Sequence, residues 1–587
     1  MGIMAKTKII CTIGPAINSL EKIMELMRLG MNVARLNFSH GTHEEHGKMI
    51  ELCKQARGKL NLPLAIMLDT RGPEIRLQKL SKEIKVSPGD RIWLCQKETP
   101  SNSEKIAISP PEVIPFIPNG CRVLIDDGNI SAHVVEAGKT QIEIEIENCG
   151  TLSSQKAVAF LDVDIPLRTI SESDIADIRF GCQQNVDYIA VSFVRTPQTL
   201  LAIKNLLIQE KKADIQLAAK IEDGQAVNNF DAILENSDLV MVARGDLGVS
   251  MDLSELPHLQ KMILQKSLQK GKPAIVATQI LQTMTVNPRP TRAEVLDCAN
   301  ALFDTAAALM LSSETAIGKF PCETVKMMRK ILERAERDFP YSQFFNSASN
   351  NECKDVKEAS TIATVRTAYS LNAQAIICFT QTGTTPRLLS RLRPSMPILA
   401  FTTNEKTYHR LSIDWGVTPI LIGPEKSFKD AFRWASRWAC DQKLVTFGDT
   451  VVVIDGSSLW GNALGTIFVE HVGEVLMKGT KGHGEPTSGK ISFVQSKDCS
   501  PYHVKNRIIV IDQCDEKYSS FIKECAGIIL QNDPTDLESE HQAEWLAKEH
   551  NKPIVLRATK APKNMVEDLL VTLHPEKICV FSGTTQE

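Results

Sequence analysis

A chain of 587 residues exceeds one ordinary core and implies about three to four domains. With 43% apolar and 23% charged residues its composition is that of a soluble globular protein, and 67 basic against 70 acidic residues (net charge −3) leave no global charge that favours nucleic acid or anionic lipid. Fifteen scattered cysteines without a C-x-x-C pair read as reduced thiols rather than disulfides or zinc ligands; with no 18-residue apolar run and no signal-peptide pattern, the expected compartment is the cytoplasm.

In chain order, short apolar runs alternate with helical stretches at 8–13, 33–38, 64–68, 188–193, 215–221, 239–243, 274–277 and 308–311. Runs of this length suit strands buried on both faces. With 77–166 set aside as an insertion they form eight β–α units, the number that closes a (β/α)8 TIM barrel from 1–76 and 167–340. The runs end on polar residues: Thr12, Asn37 and Ser39, Asp69 and Thr70, Arg195, Lys220 and Glu222, Asp246, Thr278 and Gln279, and Ser312 to Thr315. In such a barrel these ends converge on the carboxyl-end face, where barrel enzymes carry their chemistry.

The insertion has another texture. Val86-Ser87-Pro88-Gly89-Asp90 reads as a turn, Asp126-Asp127-Gly128 as a hairpin turn, and 141–147 alternates with period two. A small β-barrel lid domain, entered and left at the active-site end of the third unit, is predicted over 77–166. After 341 the alternation restarts, with strands near Ala375–Phe379, Ile398–Thr402, Val451–Ile454 and Phe468–Val472, predicting an open α/β C-terminal domain over 341–477. Lys478 to Ser488 reads as a linker by composition. Strands near Ile508–Ile511, Gly527–Leu530, Pro553–Leu556 and Ile578–Phe581 predict an extra small α/β domain over 489–587.

Lys220, Glu222 and Asp246 on neighbouring strand ends suit a divalent metal holding an anionic, phosphorylated substrate. Thr380-Gln381-Thr382-Gly383-Thr384-Thr385 sets hydroxyls and a glycine before a predicted helix, the composition of a phosphate cradle.

Asn32-Val33-Ala34-Arg35-Leu36-Asn37-Phe38-Ser39-His40-Gly41 is similar to the second-strand motif of pyruvate kinases. Leu68-Asp69-Thr70-Arg71-Gly72-Pro73-Glu74-Ile75-Arg76, Lys220-Ile221-Glu222, Ala243-Arg244-Gly245-Asp246-Leu247-Gly248 and Pro290-Thr291-Arg292-Ala293-Glu294 follow in that family's order. The resemblance spans roughly residues 5–475 and implies phosphoryl transfer from phosphoenolpyruvate to ADP, then protonation of the enolate to pyruvate. It implies Lys220, Thr278 and Arg35 as catalytic groups, with Ala243, Arg244, Gly245 and Asp246 also binding substrate and a water relay at Thr278. It further implies Glu222 and Asp246 for Mg²⁺ or Mn²⁺, and Asn37, Ser39, Asp69 and Thr70 for K⁺, with Glu74 accompanying K⁺ dependence. Asn37, His40 and Arg76 fall to the nucleotide. Thr380, Thr382, Gly383, Thr384 and Thr385 fall to a sugar-phosphate or nucleotide effector, and a homotetramer with no nucleic-acid or membrane partner is implied.

Several places depart from that pattern: Asp223, which adds a negative charge beside the metal site, and Ser250, Asp252, Ile280, Thr305, Ser313 and Ser173. The second effector loop, Gly456 to Asn462, departs as well. The last domain resembles the swivelling phosphohistidine-type domain of some bacterial members, but Ser539-Glu540-His541-Gln542 stands where Thr-Ser-His is usual, so His541 is expected to stay unphosphorylated. Two other readings are open: a Mg²⁺-dependent carbon–carbon lyase on a related barrel, against which Arg76 and the insertion speak, and a non-catalytic sugar-phosphate regulator, which has no need of Lys220, Glu222 and Asp246.

Overall fold

The computed structural model describes residues 5–96, 104–126, 128–161, 163, 165, 169–350, 353, 355–425, 427–457, 465–494, 501–563 and 565–583. Asp127, residues 458–462 of the second effector loop and the far edge of the expected insertion at 166 lie outside them.

Eight parallel strands close into a barrel: Lys8–Thr12, Met31–Asn37, Ala65–Asp69, Tyr188–Val191, Gln216–Ile221, Leu239–Ala243, Ala274–Ala277 and Ala308–Leu311. Each follows its predicted run to within two residues, because an uninterrupted apolar strand buried on both faces leaves little freedom in where it ends. Alternate side chains divide between two cores. Ile10, Val33, Met67, Tyr188, Met241 and Ile275 pack inside the barrel. Ile9, Leu36, Leu68, Leu217, Val242 and Leu309 face the surrounding helices. Ser19, Thr42, Ser171 and Thr291 cap helices of that layer through their side chains.

Between the third and fourth barrel strands, a mainly antiparallel seven-stranded sheet runs from Arg76–Leu77 to Val158–Phe160. A bridge between Arg76 and Ala157 brings its two ends together. The strand Gln141–Ile146 alternates buried and half-buried residues as its period-two sequence predicts.

The α/β body carries five strands in the order Val417–Leu421, Ile398–Thr402, Ala375–Phe379, Thr450–Asp455, Thr466–His471. The first was not predicted: Pro419 argues against a strand, and the chain tolerates it by placing this strand at the edge. This body closes the amino-end floor of the barrel. Ile413 joins the core inside the barrel, Tyr188 donates to Arg410 O at 2.7 Å, and Lys8 Nζ donates to Val417 O at 2.7 Å.

The linker reading of 478–488 is wrong. Val475–Lys478, Lys481–His483 and Thr487–Phe493 are three strands of one eight-stranded sheet, shared with the strands from Ile508 to Ser582. Glycines misled the reading because here they serve close approach rather than flexibility: a Cβ on Gly482 would lie 2.1 Å from Pro575 O, and one on Gly479 would lie 2.4 Å from Val555. The sheet therefore begins at Val475, ahead of the expected 489.

At the barrel–α/β contact, His409 accepts a hydrogen bond from Leu64 N–H at Nδ1 (3.3 Å). Burial, with the Arg57 cation, holds its imidazole down at about 3 against 6.5 when free. A depressed base leaves stability whole above pH 6.5, and stability is lost as pH falls from 6.5 towards 3, where the unfolded chain takes up a proton that the folded ring refuses. The variant His409→Asn is expected to reduce the slope of unfolding free energy against pH in that window by up to about 1.4 kcal/mol per pH unit, read from urea midpoints.

Candidate active site

At the carboxyl-end mouth the charged strand ends meet. Lys220 Nζ lies 2.9 Å from Glu222 Oε1 and 3.2 Å from Asp69 Oδ1, and it donates to Ser192 Oγ at 2.7 Å. Arg35 holds the other Asp69 oxygen through Nε at 2.6 Å and donates through Nη1 to Thr12 at 2.9 Å. All four charged groups are buried. Burial by itself would strip the proton from Lys220, but the Asp69 and Glu222 carboxylates overcome it and hold the ammonium above its ordinary range. Burial would likewise protonate Asp69, and Arg35 and Lys220 keep it ionised.

Glu222 behaves differently. Burial drives its carboxyl up; Lys220 opposes this, and Asp246 reinforces it. Arg35 and Lys220 thus stand among the carboxylates of Asp69, Glu222 and Asp246, and Glu222 and Asp246 lie close enough to repel each other. That donor set fits a hard divalent cation completed by substrate and water oxygens. Among the described residues no group of three or more His, Cys, Asp or Glu forms a closed metal cage.

The sixth strand runs into a short helix, Arg244–Ser250. Its Arg244 side chain does not face the mouth: it forks onto both Asp297 oxygens at 2.7 and 2.8 Å and donates to the carbonyls of Thr278 (2.8 Å) and Gln279 (3.1 Å). Thr278 and Gln279 are both left-handed, φ 66° and 53°, a strained state for a β-branched threonine. It sets Thr278 Oγ1 to accept from Gly245 N–H at 2.8 Å.

Asn37 accepts from Ser39 N–H at 3.2 Å, and Thr70 Oγ1 accepts from Ser192 N–H at 3.2 Å. These two groups and Asp69 come from adjoining second and third strand ends. Glu74 pairs with Arg76 Nε at 2.6 Å, and burial raises its carboxyl despite that cation. His40 is exposed at the rim, and its carbonyl accepts from His46.

A cavity of about 570 Å³ opens between the mouth and the inserted sheet, lined by Glu74, Phe193, Glu222 and Asp246 from the barrel side and by Leu124 and Phe160 from the other. Asp223 does not load it with free negative charge, as its sequence position suggests. Arg195 Nε pairs with it at 2.7 Å, and its other oxygen caps the helix Gly224–Asn228. Ser250 is likewise absorbed, donating to Glu222 O at 3.1 Å.

The threonine loop of the α/β body stands apart from this mouth. Gly383 is left-handed (φ 86°) and its N–H donates to Thr380 Oγ1 at 3.0 Å, while Thr382 and Thr384 share a hydrogen bond of 3.0 Å. Thr385 is buried, against Gly456.

Three contributors escape sequence reasoning. Ser192 touches Lys220, Phe193 N–H donates to Glu222 Oε2 at 2.5 Å, and Asp297 holds Arg244. The available signal for the first is a hydroxyl inside the otherwise apolar run 188–193, which the strand itself leaves at Val191.

A family model described as "Pyruvate kinase, barrel domain" matches residues 4–325, and one described as "Pyruvate kinase, alpha/beta domain" matches residues 358–466. The chain is 46% identical over 422 residues to a pyruvate kinase of Chlamydia muridarum, spanning 71% of this chain and 88% of the relative. It is 36% identical over 585 residues to a pyruvate kinase of Staphylococcus aureus, spanning 99% of each. A crystal structure of a pyruvate kinase from Cryptosporidium parvum superimposes with a TM-score of 0.76 at 34% identity, covering 80% of this chain and 96% of that one.

Gly72 gives the site a direct test. It is left-handed (φ 78°), and a Cβ there would lie 2.7 Å from both Phe193 and Ser192. The variant Gly72→Ala is expected to cost about 1–3 kcal/mol of stability by urea unfolding. If Glu222 holds a divalent cation, the variant is also expected to weaken its binding several-fold, read by electron paramagnetic resonance with Mn²⁺ as the probe ion, because Phe193 N–H is pushed off Glu222.

Proposed function

The chain belongs to the pyruvate kinase family, and from that membership we propose how its own residues carry phosphoryl from phosphoenolpyruvate to ADP and protonate the enolate to pyruvate. The observation that carries the reading is the buried, fully charged Lys220 held between Asp69, Ser192 and Glu222 beside a cavity large enough for substrate. Phosphoryl transfer needs positioning and charge neutralisation more than covalent help. Lys220 and Arg35 supply that charge where it develops, the ammonium as a point charge and the guanidinium as a fork for phosphate oxygens.

A divalent cation, Mg²⁺ or Mn²⁺, held by Glu222 and Asp246 would neutralise the phosphoryl and enolate oxygens when bound. The backbone of Ala243 to Asp246 opens a helical turn and offers N–H groups to the substrate carboxylate, Gly245 N–H exchanging Thr278 Oγ1 for it. Freed of that bond, the Thr278 hydroxyl orients a water that delivers the proton, since a threonine is too weak an acid to act alone. Asn37, Ser39, Asp69 and Thr70 are the oxygen donors for K⁺, with Glu74 beside them. Asn37, His40 and Arg76 serve the nucleotide phosphates.

The domain division follows: a barrel of 1–76 and 167–340, a lid of 77–166 that closes over substrate, and an α/β domain that begins at 341. Its loop Thr380, Thr382, Gly383, Thr384 and Thr385 takes a sugar-phosphate or nucleotide effector. The last domain serves as a stabilising or interface module, His541 being exposed on the helix Leu537–Glu549 without the usual neighbours. A homotetramer in the cytoplasm completes the reading; no described helix is long and apolar enough to cross a membrane.

Pyruvate formation from phosphoenolpyruvate and ADP with Mg²⁺ is expected to require K⁺ and to fail when a large organic cation replaces it. Lys220→Met is expected to lower kcat by about 10³-fold or more. Turnover indifferent to K⁺ would remove the roles given to Asn37, Ser39, Asp69, Thr70 and Glu74, and turnover that survives Lys220→Met would remove the role given to the lysine.

A further inference from the structure

We propose that Ser192 is a positioning residue for phosphoryl transfer, which aims the Lys220 ammonium and ties it to the strand end assigned to the monovalent cation. The proposal rests on the reading of Lys220 and of the K⁺ site given above.

Ser192 is 3% exposed and stands directly after the fourth barrel strand, Tyr188–Val191. Its hydroxyl has three neighbours: Thr70 O at 2.7 Å, Lys220 Nζ at 2.7 Å and Asp69 Oδ1 at 3.4 Å. A serine hydroxyl carries one proton and two lone pairs. An ammonium can only donate, so Lys220 must use a lone pair of Ser192, and the single proton goes to the nearer acceptor, Thr70 O. The shortest contacts give this chain of bonds its polarity, Lys220 Nζ–H to Ser192 Oγ–H to Thr70 O.

That direction has two consequences. Ser192 supplies Lys220 with a neutral acceptor beside Asp69, its shortest contact at the mouth. Without it the ammonium keeps only Asp69 and Glu222 to set its direction, and the third bond that fixes how it meets a phosphoryl oxygen is gone. Ser192 also orients the Thr70 carbonyl, which keeps a second lone pair for a cation, so that the cation site and the lysine share one hydroxyl. The serine itself has little room to move. Its backbone N–H donates to Thr70 Oγ1, the next residue is left-handed (φ 53°) and bonded to Glu222, and Gly72 packs against its Cβ.

The test compares Ser192→Ala and Ser192→Cys with the parent enzyme. The first removes the oxygen, and the second keeps bulk at the site but offers only a weak acceptor. Both are expected to lower kcat by about 10- to 100-fold, the cost typical of a group that orients a site residue. The KM for phosphoenolpyruvate should stay within about threefold, the K⁺ concentration for half-activation should rise several-fold, and thermal midpoints should stay close to the parent's. A kcat within twofold of the parent in either variant overturns the proposal, as does an unchanged K⁺ half-activation. Equal collapse of kcat and thermal midpoint in both variants overturns it too, assigning Ser192 to the fold. Lys220→Met separates the two levels: if that variant retains turnover, the reading of Lys220 has failed, whereas if it is inactive and Ser192→Ala keeps kcat within twofold of the parent, only the positioning role has failed.

Discussion

An ammonium ion kept charged inside a protein is the constraint around which the mouth of this barrel is organised. Removing Lys220 from water costs several kcal/mol, and leaving it unpaired would simply deprotonate it. Asp69 and Glu222 prevent that, but each is itself buried and needs a partner. Arg35 answers for Asp69. Lys220 answers for Glu222 only in part, because burial and the neighbouring Asp246 carboxylate both push its proton affinity up. A divalent cation placed between two carboxylates that repel each other would relieve that repulsion.

The same cluster explains where the backbone is strained. Phe193, Thr278 and Gln279 are left-handed non-glycine residues at the ends of the fourth and seventh strands, and the first two serve groups at the mouth. Phe193 turns its N–H onto Glu222, and Thr278 turns its hydroxyl onto Gly245. Such conformations persist only where the surroundings over-determine them. Here Arg244, locked onto Asp297, grips the carbonyls of both Thr278 and Gln279. The opposite end of the barrel provides stability: Ile413 plugs the floor, and Lys8, Tyr188 and Arg393 bond across to or from the α/β body. With the floor closed by packing, the mouth is free to hold charge.

Much of this was legible in one dimension. A strand buried on both faces must be apolar throughout and must end where polar residues begin, so the eight barrel strands and their chemistry-bearing ends could be read directly. Lys220, Glu222, Asp246 and Thr278 were visible because each terminates such a run. Legibility failed where composition and role part company. Gly479 and Gly482 resemble a flexible linker, yet they are glycines because another backbone passes within contact distance. Pro419 argues against a strand that its edge position permits.

The sequence by itself determined the barrel, the inserted sheet, the order of the strand ends and therefore which side chains could meet, since burial periodicity is a local property of the chain. Only the tertiary structure decided which of them do meet, and with what polarity. Asp223 is neutralised by Arg195, 28 residues away. Arg244 turns from the mouth to Asp297, and Ser192 bridges Lys220 and Thr70 across three strands. Those pairings depend on distances of a few ångströms between segments far apart in the chain, and hydrogen-bond direction and charge balance are properties of that proximity, which no local pattern encodes.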